Sequence, residues 1–523
     1  MTLHARAASL STDDIVVLLE RDERLTQRIV DLQAQLDWFQ REVFGRKSEK
    51  VLHCDLSQQL TLGETLAAAE APVESEMVVA SHTRRRRKPS QRQGDPLLRF
   101  DDSVDVLDIV IRDERLDPES YCVVGEKVSL RLLQNPATYR VVRIRRLVIK
   151  MKDGSGFSCP PIPAEVFEGS FADVSFLASI VIDKLRYHLP LYRQHQRLLA
   201  SGITIHRSTM TQYMRRVAEL LRPIYQAQMR SILMSRVLAM DETPIRAGLK
   251  SKGKMKRGYF WPLYGDQSEI AFHFANSRGH QVVPAVLSDF EGVLLSDGYE
   301  AYERFAEANS KVVQAQCWVH TRRHFVKAEP MEPALVREAL ERIGTLYKLD
   351  AQLREKNPSP EQILQFRGQQ MRPLVESFFE WLRVQLDEQL LLPKNPFTKA
   401  ATYALEREKQ LKVFLEDPDV SMDTNHLERQ IRPIALGRKN WLFAWTELGA
   451  EHLGILQSLV ATCRLQDIDP YTYLVDVLQR VGQHRAKDVE ELTPRRWKEL
   501  FADEPLPSLM ELVQKKTPAA SPT

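Results

Sequence analysis

Apolar residues recur at alternating intervals of four and three positions near the start of the chain. The positions that follow this spacing are Leu25, Ile29, Leu32, Leu36, Phe39 and Val43. It is the spacing of a heptad seam, whose narrow apolar stripe is buried when one helix pairs with another. We therefore predict a helix over residues 15–50 that pairs two copies of the chain. The alternative is an amphipathic helix folded back on its own chain.

Two later runs, residues 104–110 and 139–149, alternate apolar and polar positions. Alternation with period two is typical of half-buried strands, so a small β-rich module is expected over residues 100–165. Residues 191–199 and 206–217 instead predict two short helices joined by a glycine-containing turn. This pattern is typical of a helix-turn-helix, with Arg207, Gln212 and Arg215 on the helix that would enter the major groove. Helix pairs of this kind without DNA contact are equally common.

Short apolar strands are predicted over residues 236–240 and 292–296, and each ends on a carboxylate, Asp241 or Asp297. The stretch up to residue 319 predicts a three-stranded meander, a helix, a strand, a helix and a last strand running to Val319. Adjacent strand ends could bring the two aspartates together around Mg²⁺, which prefers oxygen ligands. Aspartates at strand ends are also common in ordinary turns.

A third acid, Glu428, lies early in a helix predicted to begin near Asp423 or Thr424. An acid among cations and beside an aromatic residue suits a site where a metal meets a DNA backbone. The alternative is a surface helix stabilised by ion pairs four residues apart. The neighbouring candidates for phosphate or base contact are Arg432, Arg438, Lys439 and Trp441.

Charge and composition narrow the class of protein only slightly. A 43% hydrophobic and 27% charged composition excludes wholesale disorder, and a net charge of +3 leaves nucleic-acid binding to local clusters. One such cluster is Arg84, Arg85, Arg86, Arg87 and Lys88. It is expected to be extended and to attract phosphates without reading sequence, unless it serves only solubility. Five scattered cysteines exclude a disulfide framework, and no apolar run approaches the ~20 residues that span a bilayer. We therefore expect a cytoplasmic protein without membrane contact.

Several motifs together resemble the transposases of the insertion sequence 66 family, the class called transposase C. The resemblance spans nearly the whole chain. The matching segments are Phe44 to Lys50, His188 to Gln194, Arg207 to Thr209, Asp241 to Pro244, Ser296 to Tyr299, Cys317 to Arg323, Asn425 to Pro433 and Gly437 to Phe443.

The resemblance implies an RNase H-like core in which Asp241, Asp297 and Glu428 form a DDE triad with two Mg²⁺ or Mn²⁺ ions. It implies cleavage and strand transfer of double-stranded DNA at the ends of an insertion sequence. Arg322 and Arg323 join the residues expected to contact DNA. A homodimer or higher oligomer, accessory proteins of the same element and association with the bacterial nucleoid are also expected. The alternatives are a DNA-binding regulator and a metal-dependent nuclease without strand transfer.

Two cysteine-containing segments raise the question of metal binding outside the acidic triad. Only Cys122 and Cys159 remain where the family often has a zinc-binding cluster, so no zinc is predicted there. Cys317, His320 and His324 have ligand-like spacing, but we favour a structural or DNA-positioning role on or beside a strand.

The sequence as a whole predicts a multidomain α+β chain, with a mixed α/β catalytic core interrupted by a helical insertion. The predicted segments are a coiled-coil helix (1–52), a basic linker (53–99), the β-rich module, a degenerate zinc-finger-like region (100–165), a helical DNA-binding domain (166–232), the first part of the core (233–328), the insertion (329–395), the second part of the core (396–465) and a helical tail (466–523).

Overall fold

The computed structural model describes residues 99–511 except 101, 103, 105, 113–116, 118–120, 136–137, 153–156, 162–164, 252–253, 389–391 and 510. The predicted coiled coil and the basic tract therefore lie outside the described residues. The chain divides into two compact units. The first comprises Met1–Asp95, His324–Glu341 and Gln389–Ala401, and the second comprises Pro96–Arg323, Arg342–Glu388 and Thr402–Thr523.

Strands and helices alternate up to Gln316 in the described chain, and the part after it is helical. This gives the mixed α+β architecture expected from the sequence. The strands are β1 (Arg99–Phe100), β2 (Val106–Ile111), β3 (Tyr121–Asn135), β4 (Thr138–Met151), β5 (Phe157–Ser158), β6 (Ile203–Thr204), β7 (Val237–Met240), β8 (Thr243–Ser251), β9 (Lys254–Tyr264), β10 (Ile270–Ala275), β11 (Gly292–Ser296) and β12 (Val312–Gln316).

The helices before the third acid are α1 (Val174–Leu185), α2 (Leu191–Ala200), α3 (Arg207–Leu233), α4 (Val282–Leu287), α5 (Glu300–Ala308), α6 (Trp318–Ala328), α7 (Pro333–Arg354), α8 (Pro360–Phe366), α9 (Arg372–Glu388), α10 (Pro396–Glu406) and α11 (Glu408–Lys412). Those from the third acid onward are α12 (Asn425–Trp441), α13 (Glu447–Leu465), α14 (Pro470–Arg480) and α15 (Pro494–Leu500). No described helix combines the length and the apolar character needed to cross a membrane.

The central sheet of the second unit has the strand order β10-β9-β7-β11-β12, with β8 paired to β9. Strands β7 to β10 pair antiparallel, whereas β11 runs parallel to both β7 and β12. Helices on the faces of this sheet bury its apolar side chains, which is why β7 and β11 are short continuous apolar runs. Leu238, Trp261, Leu294 and Tyr302 are fully buried in the resulting core.

The predicted meander was incomplete, because β8 was not recognised as a strand. Its sequence contains Pro244, Arg246 and Gly248 and lacks clean alternation. Proline is tolerated in an edge strand, and among the described strands β8 pairs with β9 alone. The predicted last strand is present as β12, but its predicted end at Val319 was wrong. Strand β12 ends at Gln316, and the C-x₂-H-x₃-H segment enters helix α6.

The predicted β-rich module is present as a sheet of β2, β4 and β3, with β5 on β4. Its long β3–β4 ladder meets the helical region through Leu132, whose amide donates to the carbonyl of Phe171 at 2.6 Å. The two helices of the predicted helix-turn-helix are α2 and α3, with β6 between them. Helix α3 continues for 27 residues, and Gln228 in its second half donates to the carbonyl of Ile270 in the central sheet at 2.7 Å.

The segments predicted as an insertion and a tail contain helices in their described residues. In the first unit, the ring of Phe325 lies 5.7 Å from that of Phe397, and Asn395 Nδ2 donates to Glu332 Oε1 at 2.8 Å. In the second unit, α13 packs on β10, where Ser458 Oγ accepts a hydrogen bond from the Phe272 amide at 2.8 Å.

Candidate active site

Two of the three predicted acids follow neighbouring strands. Strands β7 and β11 run parallel, with Ala239 opposite Leu295. Asp241 and Asp297 are each two residues beyond these partners, so both lie at the carboxyl edge of the sheet. The amide of Tyr299 donates to Asp297 Oδ1 at 2.9 Å and fixes that carboxylate at the strand end.

The third acid reaches the same edge from a helix that is fastened to the sheet. Helix α12 begins after its N-cap residue Thr424, whose amide and hydroxyl both donate to Cys317 Sγ at 3.3 Å. Cys317 follows β12, the parallel neighbour of β11. The amide of Trp318 also donates to the carbonyl of Met422 at 3.0 Å. Cys317 therefore positions the start of α12 and, one turn later, Glu428.

The acids meet in two overlapping groups. One ligand atom from each of Asp241, Glu242 and Asp297 lies within 4.8 Å of the others. The same holds for Asp241, His320 and Glu428. Asp241 is common to both groups, so Asp297 and Glu428 each come within 4.8 Å of it although the three acids are far apart in sequence.

Burial and like charge both act on Asp241. They raise the pKa of its carboxyl to about 8, burial contributing most, followed by Glu242 and Asp297. The amide of Glu242 donates to Asp241 Oδ1 at 2.7 Å and offsets only part of this. Carboxylates that repel one another at a strand end are stabilised by a divalent cation, whose charge reverses the local effect on pKa.

Glu242 is a fourth acid that sequence reasoning missed, although it stands next to Asp241. Its side chain is only 5% exposed, and it forms an ion pair with Arg278. Tyr302 donates a hydrogen bond to Glu242 Oε2 at 3.0 Å. Burial raises the pKa of this carboxyl as well, with Asp297 adding to the effect. The adjacent Asp-Glu pair was the available signal.

His320 is the other residue whose position was not foreseen. Its Nε2 lies 3.7 Å from Glu428 Oε1, and its side chain is 13% exposed. Burial lowers the pKa of the imidazole, which favours its neutral, metal-binding form. Among the described residues, its buried Nδ1 has no hydrogen-bond partner. Cys317, three residues earlier, has a different contact, because its Sγ accepts hydrogen bonds from Thr424.

One of the predicted cations, Arg323, contacts an acid of this centre. Arg323 Nη2 lies 3.3 Å from Glu428 Oε1, and its side chain is 49% exposed. Arg322, Arg432 and Lys439 are exposed. Arg438 donates instead to the carbonyl of Pro244.

The aromatic and upstream candidates differ in their exposure to solvent. Trp441 is half-buried, with Lys184 Nζ 5.4 Å from its ring centre. Arg207, Gln212 and Arg215 are exposed on the first turns of α3. Gln212 and Arg215 are three residues apart and share one face of that helix, whereas Arg207, five residues before Gln212, lies about 140° around the helix from it.

The residue that follows the second acid, Gly298, lies where a side chain would not fit. A Cβ atom there would lie 2.3 Å from Tyr403 Oη and 2.8 Å from Arg407 Nε. Any side chain would displace residues that pack against the Asp297 turn. The glycine therefore permits a close approach beside the acids.

Comparison with known proteins gives matches along most of the chain. A family model described as "Transposase IS66 family" matches residues 169–452, more than half of the chain. Models described as "IS66 C-terminal element" and "Transposase C of IS166 homeodomain" match residues 458–495 and 31–98.

Curated relatives include two proteins from Sinorhizobium fredii. "Uncharacterized protein y4hP" is 28% identical over 517 residues, covering 91% of this chain and 90% of the relative. "Uncharacterized protein y4jD" is 29% identical over 513 residues, covering 91% and 96% respectively.

Proposed function

Because the chain belongs to the IS66 family of transposases, we propose that it cleaves the ends of an insertion sequence and joins them to target DNA. In this proposal Asp241, Asp297 and Glu428 are the catalytic acids of a DDE site. The observation that carries it is their convergence at one sheet edge, from two adjacent strands and one fastened helix.

The residues at this edge fit divalent cations. Four carboxylates and one imidazole supply hard oxygen donors and a single nitrogen, a set suited to Mg²⁺ or Mn²⁺. Asp241 belongs to both groups of ligand atoms, so two ions could share it. Bound there, the pair would supply the Lewis-acid charge for an in-line displacement at phosphorus.

The chain's own residues supply charge and position. Glu242 is held by Arg278 and Tyr302, so it keeps its carboxylate beside Asp241 and Asp297. Arg323 contacts Glu428 but remains half exposed, which leaves its guanidinium able to meet a DNA phosphate. The described site needs no nucleophilic side chain, because water or a DNA hydroxyl can attack the phosphate.

An RNase H-like core is part of the same proposal. Its support is the order of the central sheet, in which the antiparallel strands β10, β9 and β7 are followed by β11 and β12, both parallel to β7. Asp241 and Asp297 follow the ends of β7 and β11. Residues 329–395, within the helical segment between β12 and α12, would be an insertion into that core.

The test is strand joining by the full-length protein. Labelled DNA carrying the ends that flank its own gene is incubated with a supercoiled target in Mg²⁺. Joined products support the proposal. Cleavage without joining would instead indicate a nuclease, and DNA binding without cleavage would indicate a regulator.

The raised pKa of Asp241 predicts that ionisation destabilises the metal-free protein. Its folded-state pKa of about 8 exceeds the ordinary 3.8, so the stabilising contribution is complete below 3.8 and disappears as pH rises through 8. We expect Asp241→Asn to unfold at a higher temperature than the parent in EDTA, with a gap that grows from about pH 5 to pH 8. Added Mg²⁺ should stabilise only the parent. Parallel pH profiles of the two proteins would contradict this.

We propose that His320 completes one of the two ligand groups. His320→Ala should weaken Mn²⁺ binding by about tenfold or more and remove nitrogen coupling from the electron paramagnetic resonance spectrum of bound Mn²⁺. The exposed His280→Ala is the matched control. An unchanged spectrum in His320→Ala would show that the imidazole only packs against Glu428.

A further inference from the structure

The hairpin of β8 and β9 concentrates positive charge. Between Thr243 and Tyr264 the sequence has six lysines and arginines and no aspartate or glutamate, whereas the whole chain has a net charge of +3. The described cations of this hairpin are all exposed: Arg246, Lys250, Lys254, Lys256 and Arg257.

Most of this charge has no acidic partner within the described part of the chain. Lys256 pairs with Glu447 at 2.7 Å, and the other four described cations form no ion pair there. Arg246 and Arg257 even stand directly opposite each other across the ladder. Like charges in that position destabilise a strand pair. A polyanion bound along the hairpin would relieve this repulsion.

An aromatic loop runs along the same strand. The Ala444 amide donates to the Arg246 carbonyl at 2.9 Å, and the Gly248 amide donates to the Ala444 carbonyl at 3.1 Å. This loop presents Trp445, which is 68% exposed and packs edge-to-face on Phe443 at 5.0 Å. Exposed aromatic rings beside cations are the combination that binds nucleic-acid bases and backbone together.

The loop's backbone is strained where it leaves α12. Leu442 has φ of +60°, in a region that branched and bulky residues rarely adopt, and it is 62% exposed. Hydrogen bonds to β8 hold the loop in this conformation. Such strain is typical of segments that hold a side chain for binding.

We propose that the β8–β9 hairpin and Trp445 form a DNA-binding surface for the duplex beside the cleaved bond. The inference rests on the proposed function, because β8 starts two residues after Asp241. Arg246 is five residues beyond that acid, about 16 Å along an extended strand. This corresponds to about five base pairs of duplex from the site of cleavage. Phosphates contact the cations, and Trp445 contacts a base or sugar.

The test measures DNA binding without catalysis, using full-length protein and element-end DNA in EDTA. One variant changes Arg246, Lys250, Lys254 and Arg257 to glutamine. Each lost phosphate contact lowers the slope of log affinity against log salt by about 0.9, so a fall of about three to four is expected. Trp445→Ala should weaken binding about tenfold. The folded structure should persist, because the substitutions remove repulsion on an exposed surface, and thermal unfolding checks this.

The matched control neutralises four exposed cations elsewhere, Arg464, Arg485, Lys487 and Lys498. An equal fall in the salt slope for this control would overturn the inference, because net charge alone would then explain binding. An unchanged salt slope in the hairpin variant would also overturn the inference. So would a hairpin variant whose binding to an acidic polypeptide is weakened as much as its binding to DNA.

A photo-crosslinking amino acid in place of Trp445 locates the surface. Crosslinks about five base pairs from the cleaved bond support the proposal, and crosslinks confined to distant DNA contradict it. The crosslinking result does not depend on whether the protein cleaves or joins DNA. Normal hairpin binding with no cleavage or joining would refute the proposed function alone, and normal joining with an unaffected salt slope would refute the hairpin alone.

Discussion

Glu428→Gln should reduce Mg²⁺-dependent cleavage and joining by about a thousandfold while leaving binding to the element ends intact. The amide keeps the shape of the side chain but removes one anionic ligand from the group formed with Asp241 and His320. Loss of a few kcal/mol of transition-state stabilisation corresponds to that factor. Helix α12 should remain in place, since Thr424 and Cys317 fasten its start independently of Glu428.

The measurement combines the joining assay with a band-shift titration. Glu355→Gln, an exposed acid near the end of α7, serves as the matched control and should behave like the parent. Metal-dependent nicking by Glu428→Gln at the parental rate would reject the assignment of the third acid. Loss of DNA binding together with cleavage would mean that Glu428 acts through the fold.

Gly292→Ala should destabilise the second unit by about 3 kcal/mol, the sum of backbone strain and forced overlap. Gly292 begins β11 with φ of +136°, and a Cβ atom there would lie 2.3 Å from the carbonyl oxygen of Arg236. That oxygen accepts the Val293 amide at 2.8 Å, so it cannot retreat without weakening the pairing of β7 with β11. The strand pair that places Asp241 beside Asp297 would loosen.

The prediction is checked by thermal unfolding and by protease susceptibility. Gly344→Ala is the matched control, because it lies within helix α7 and a Cβ atom there meets nothing within 4 Å. It should leave stability unchanged or raise it by up to about 1 kcal/mol. Equal unfolding temperatures for Gly292→Ala and the parent would contradict the steric argument.

The placement of the two aspartates could be predicted from the sequence because both follow the end of a strand. Short apolar runs ending on Asp241 and Asp297 predict that these two strands are neighbours, and the pairing of Ala239 with Leu295 confirms it. The catalytic role of the triad itself remains a prediction.

What the sequence could not show depends on long-range contacts. Nothing near His320 indicates that a helix starting at Trp318 turns it toward Glu428, 108 positions later. The apolar Trp318 and Val319 extend the pattern of β12, which explains why a strand was expected there. Likewise, β8 becomes a strand only because β9 offers it an edge.

The junction between Cys317 and Thr424 also bears on how such proteins can diverge in size. More than a hundred residues leave the sheet after Gln316 and return to almost the same point, where Trp318 bonds to Met422. Lengthening a loop whose ends already meet adds little entropic cost, about 0.6 kcal/mol for each doubling. The excursion could therefore grow, shrink or be exchanged during evolution while the chemistry at its base stays undisturbed.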